Sequence, residues 1–124
     1  MLPVGTYLAY IQLEPIQDRD VKEARVRELL ASAPGFAPAW KDLALLLDDE
    51  QARQNALEQG LAADPDPETR GILLINRALT LFNQGARDEA IAILGSLALD
   101  PASSMGSAEQ AKAALALLLQ QTGR

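Results

Sequence analysis

The 124-residue chain contains no cysteine and no histidine. Without thiolate or imidazole there is no disulfide, no Cys–His nucleophile and none of the usual zinc ligand sets. Aromatic residues are also scarce, at two Phe, two Tyr and one Trp. Leucine and alanine must therefore fill the interior, a composition that favours packed helices over sheets. Positive charge is thin as well: 11 Lys and Arg stand against 17 Asp and Glu, for a net charge of −6. The cations are scattered rather than clustered, which argues against a nucleic-acid partner. The opening MLPVGTYLAYIQLEP is apolar, but it lacks a basic start, is interrupted by Pro3 and Pro15, and is too short to span a bilayer. It reads as part of the fold, with no membrane insertion, and the chain as cytoplasmic.

The remaining catalytic options are few. Serine–lysine chemistry would have to draw on Lys22, Lys41 or Lys112 and on Ser32, Ser96, Ser103, Ser104 or Ser107, and no glycine-rich elbow adjoins any of them. No phosphate-cradling glycine loop is present either. The acidic clusters Asp48-Asp49-Glu50 and Asp64/Asp66/Glu68 lack calcium-loop spacing and sit where carboxylates cap helix starts. The sequence thus predicts no enzyme, no cofactor and no metal.

What is present is regular punctuation. Asp20 with Glu23 predicts a capped helix through Ala31, closed by Pro34-Gly35. Pro38 suits the first turn of a helix carrying Trp40 to Leu47, and the acidic turn at 48–50 leads into a helix over 51–63. Asp66 caps the next helix, to Asn83 or Gln84, where Gly85 supplies a left-handed stop. Ala86 to Leu99 forms a further helix, ended by Asp100-Pro101. Ser107 with Gln110 is expected to cap a last one from Ala108 to Gln121. The spacing Val4, Tyr7, Leu8, Ile11 predicts a helix over Val4 to Leu13, although Thr6, Tyr7, Tyr10 and Ile11 carry strand propensity.

These seven helices pair as hairpins, and the segment NRALTLFNQGARDEAIAILGSLALDP, from Asn76 to Pro101, is one of them. With Trp40, Leu43, Ala44 and Leu47 on an earlier first helix, and prolines 34, 65 and 101 closing units 31 and 36 residues apart, the chain resembles a short tetratricopeptide-repeat array, whose period is about 34 residues. The resemblance implies an all-α, right-handed superhelical array of antiparallel helix pairs in a single domain, 1–124. Its repeats would cover about 4–34, 37–65 and 68–101, followed by a terminal helix at 107–122 whose partner helix does not follow. Arg77 departs from the pattern, standing where the first helix of the third repeat should carry leucine, so it must snorkel or pair. Trp40 is expected to be deeply buried.

In such arrays the first helices line a concave face. Aligning Trp40, Leu74 and Lys112 places Leu45, Leu79 and Leu117 in one row, with Ile75 and Phe82 adding apolar surface and Lys41, Asp48, Asn83 and Gln120 near the rim. The expected function is capture of a partner protein's peptide or amphipathic helix by Lys41, Leu45, Ile75, Leu79, Phe82, Asn83 and Leu117. A chaperone-type carboxylate clamp is disfavoured, since Lys41 and Asn76 leave its ligand set incomplete. Two alternatives stand beside this: a homo-oligomer, such as a dimer, joined through the groove or the apolar last helix at Leu117 and Leu118, and an accessory domain of a larger enzyme or chaperone.

Overall fold

The computed structural model describes residues 4–122. It is built of helices, with no strand among the described residues: α1 (Val4–Ile11), α2 (Arg19–Ser32), α3 (Ala37–Leu46), α4 (Glu50–Ala62), α5 (Pro67–Asn83), α6 (Arg87–Leu99) and α7 (Met105–Thr122). The N-terminal segment is helical over Val4–Ile11, and its last turns continue as irregular turns to Ile16. The chain divides into two compact units, Met1–Pro65 and Asp66–Arg124. That division falls between the second and third of the expected repeats.

Side chains at the helix ends explain where each helix starts. Asp49 accepts the Ala52 N–H at 2.9 Å and Asp66 the Thr69 N–H at 3.1 Å, satisfying donors that a first turn leaves free. The α2 cap is Asp18, which accepts from the Val21 N–H at 3.0 Å. Asp20, expected in that role, lies in the first turn instead, where its charge still favours the helix dipole. Likewise Ser107 is not the α7 cap. Ser104 takes its place, accepting the Ser107 N–H at 3.1 Å, and the helix starts at Met105. Gly85 adopts φ +89° after α5, as expected of a helix-ending glycine.

In the N-terminal unit α2 and α3 pack together, as do α3 and α4. The interior holds Val26, Leu29, Leu30, Phe36, Leu43 and Leu57, with Ala39, Ala44 and Ala56 where the helices approach. Two arginines close the C-terminal end of α3. Arg19 of α2 donates to the Leu46 carbonyl and pairs with Asp48 at 2.8 Å, while Arg53 of α4 donates twice to the Leu47 carbonyl at 3.2 Å. They satisfy carbonyls that the helix end would otherwise leave unpaired.

In the C-terminal unit α6 packs against both α5 and α7, and α5 and α7 touch directly. Ala78, Leu81, Ala90, Leu94, Leu97, Ala111 and Leu118 form the core. Ser104 Oγ donates to Glu68 Oε2 at 2.7 Å, and Gly71 lies against Ser107, so α5 and α7 run parallel with a constant offset of 36 residues. That contact is only possible because position 71 has no Cβ, since one built there would overlap the Ser107 side chain. Gly71→Ala should therefore destabilise the protein by about 1–3 kcal/mol through overpacking. Urea denaturation followed by circular dichroism measures this, and adding Ser107→Gly should recover part of the loss.

Candidate functional site

Lys41, expected at the rim of a groove and free to meet a partner, is engaged within its own unit. Its Nζ lies 3.2 Å from the Tyr10 hydroxyl and 3.4 Å from Asp42 Oδ1, and 6.0 Å from the centre of the Tyr10 ring. Phe36 packs edge-on against Tyr10 at 5.1 Å and against Tyr7 at 5.8 Å. Burial raises the Tyr10 pKa above the ordinary tyrosine value, because the phenolate is poorly solvated there, and the Lys41 bond offsets this only in part. For Lys41, burial alone would lower the pKa, but the Tyr10 hydroxyl and the Asp42 carboxylate outweigh it and hold the ammonium above its ordinary value. A charged lysine held this way is a structural tie between α1 and α3.

The leucine row has a different fate. Leu45 on α3, Leu79 on α5 and Leu117 on α7 are 55%, 37% and 53% exposed, so all three present apolar surface. Asn83 is also exposed, as is Gln120. Ile75 and Phe82 correct the expected binding set in part: both are part-buried and pack against the core of the C-terminal unit. Their α5 positions face neighbouring helices because α7 runs alongside α5 at the Gly71 crossing. Leu118 is a second correction. At 3% exposure it belongs to that core and cannot serve in self-association, which leaves Leu117 and Leu119 as the exposed leucines of α7. Asp48 is committed to Arg19.

Trp40 is part-buried rather than deeply buried. Its indole N–H donates to the Pro34 carbonyl at 2.8 Å, and the ring walls an open cavity of about 400 Å³ with Arg27, Leu30, Ala31, Pro34 and Leu43. The loop carbonyl satisfies the polar end of the indole, while the rest of the ring stays partly open at the cavity. Arg77 snorkels incompletely: it is half-buried and its Nε finds no hydrogen-bond partner among the described residues. In α1, Val4, Tyr7, Leu8 and Ile11 stand 45–73% exposed. Their helical spacing reads as a core stripe, yet the side chain α1 buries is Thr6. The sequence carries no signal for that inversion.

Among the described residues no group of three acidic side chains is placed to hold a metal ion, and no helix is long and apolar enough to cross a membrane. Compared with known proteins, the chain matches no family model, no curated protein and no solved structure.

The Tyr10–Lys41 tie makes a pH prediction. Both groups have raised pKa values in the folded state, so the stability they contribute is complete below the unfolded values, near 10 and 10.5, and is lost as pH rises through the folded ones. Alkaline titration of tyrosinate absorbance should show a component that ionises later than free tyrosine and disappears in Tyr10→Phe. Wild-type stability should fall across the same alkaline range.

Proposed function

We propose that this chain is a helical-repeat interaction module that captures an apolar peptide or amphipathic helix of a partner protein. The observation that carries the reading is the placement of exposed apolar side chains. Apart from Val21 and Leu99, the exposed large hydrophobic residues lie on the odd-numbered helices: Tyr7, Leu8 and Ile11 on α1, Leu45 on α3, Leu79 on α5 and Leu117 on α7 among them. These are the first helices of successive hairpins, the elements that line the binding face in tetratricopeptide repeats. Large apolar side chains left in water on one class of helix mark an interaction surface.

The parallel course of α5 and α7, with its offset of 36 residues, supports the resemblance to that family, whose period is about 34. Each unit would present its own contacts, Leu45 in the first and Leu79 and Leu117 in the second. Lys41 has no role in capture, because it is already paired.

Selection from a phage-displayed random-peptide library tests this directly. Enriched peptides should be apolar at helical spacing, and Leu79→Glu or Leu45→Glu should weaken at least one of them about tenfold or more, the cost of losing a central anchor. Asp88→Asn, a change at a side chain 98% exposed, should leave binding unchanged. Folded Leu45→Glu and Leu79→Glu proteins that both keep full affinity would overturn the proposal.

A second reading, self-association through α7, is favoured by Leu117 and Leu119, which stand 53% and 44% exposed on the same helix. Each leucine has only about half its surface left to bury, so it contributes less than the roughly 1.5–3 kcal/mol of full burial against an association cost of about 4–15 kcal/mol, and only a weak dimer is expected. Light scattering across a concentration series should then show mass rising with concentration, and Leu117→Lys with Leu119→Lys should hold the chain monomeric.

A further inference from the structure

We propose that the cleft between α5 and α6 is a binding site for a free α-amino acid with a branched aliphatic side chain, such as leucine. The cleft has a volume of about 260 Å³, and its floor is apolar, formed by Leu74 and Ile93 with Leu97. At this size it admits a small ligand rather than a drug-sized one. Three polar residues line the same space: Arg70, Ser96 and Asp100.

Arg70 and Asp100 share the cleft without pairing. Among the described residues, the Arg70 guanidinium has no ion-pair or hydrogen-bond partner. Asp100 commits one oxygen, Oδ1, to the Ala102 N–H at 2.9 Å and keeps the other free. A cation and an anion held apart over an apolar floor match a zwitterion that carries an apolar side chain. The ligand's carboxylate meets the Arg70 fork, for which bidentate geometry is favourable, and its ammonium meets Asp100. The branched side chain covers Leu74, Ile93 and Leu97.

The helix directions reinforce this polarity. Arg70 stands in the opening turns of α5 and Asp100 immediately after the last residue of α6, which returns antiparallel to α5 in the hairpin. The positive end of one helix dipole and the negative end of the other thus flank the cleft, in the same order as the two side chains. Sequence reading misses the site because Arg70 and Asp100 are 30 residues apart and meet only when the hairpin closes.

Titration of the ¹⁵N-labelled full-length chain with L-leucine tests the proposal. Saturable amide shifts should appear at Arg70, Ser96 and Asp100 by about 10 mM ligand, roughly ten times a Kd of about 1 mM. Leucinamide, which lacks the carboxylate, and N-acetyl-leucine, which lacks the ammonium, should each bind at least about tenfold more weakly, because each leaves one charged partner in the cleft unanswered. These two compounds also represent the first and last residues of a peptide. Arg70→Gln and Asp100→Asn should each weaken leucine by a similar factor. The amide oxygen introduced by Asp100→Asn can still accept the Ala102 N–H, so the turn is kept. Absence of saturable shifts with leucine overturns the site. Equal binding of leucinamide or N-acetyl-leucine overturns its assignment to a free amino acid, as would unchanged leucine affinity in either folded variant.

Discussion

Close approach of helices on small residues is the constraint from which the rest of this structure follows. With five aromatic side chains in the whole chain, the interior cannot be filled by large rings. It is filled by bringing backbones together: Ala39, Ala44, Ala78, Ala90 and Ala111 are fully buried, Ala56 nearly so, and Gly71 lets α5 seat on Ser107. Where a backbone approaches this closely, one methylene too many forces neighbours off their rotamers. Small residues at the crossings also decide where the leucines go. Leu57, Leu73 and Leu94 are enclosed, while Leu45, Leu79 and Leu117, on other faces of the odd-numbered helices, reach water.

Charge is used sparingly and locally. Much of the acidic excess sits at helix starts, where Asp18, Asp49 and Asp66 accept first-turn N–H groups. The Asp66 carboxylate is held below its ordinary pKa by its bonds to Thr69, as expected of an acceptor stabilised in its charged form. The arginines act at a helix end: Arg19 and Arg53 converge on the final carbonyls of α3. Surface ion pairs such as Arg27–Glu23 add little, because both partners remain hydrated. Arg70 stands beside an apolar cleft, and its guanidinium has no ion-pair or hydrogen-bond partner among the described residues.

Much of the candidate interaction surface is legible in the sequence, and the failures are instructive. Aligning the hairpins puts Leu45, Leu79 and Leu117 in one row of the expected groove, and all three side chains are exposed. The same alignment puts Ile75 and Phe82 on the groove, and the apolar run of the last helix suggests Leu118 for self-association, but all three pack between α5, α6 and α7. Repeat alignment counts residues, whereas the face a residue takes depends on the helix crossing. The contacts set α7 on α5 with an offset of 36 residues, and the alignment of Leu74 with Lys112 implies a larger one. A slip of even two residues on a helix rotates a side chain by roughly 200°. Lys41 shows the other kind of failure, since nothing in its neighbourhood along the chain announces Tyr10, 31 residues away.

The helices, their order and most of their ends follow from the chain alone, because caps, prolines and the left-handed glycine act within a few residues and need no partner from elsewhere. That Leu and Ala make the core follows in the same way, since nothing else is available in quantity. Which apolar stripes are covered is settled only by tertiary packing. The α1 stripe of Val4, Tyr7, Leu8 and Ile11 has the spacing of a buried face and is left in water, while Trp40 rests half-buried against a loop carbonyl. Periodicity establishes that a helix has an apolar side. Which side meets a neighbour is fixed by where the other helices lie, and that information is spread over contacts tens of residues apart.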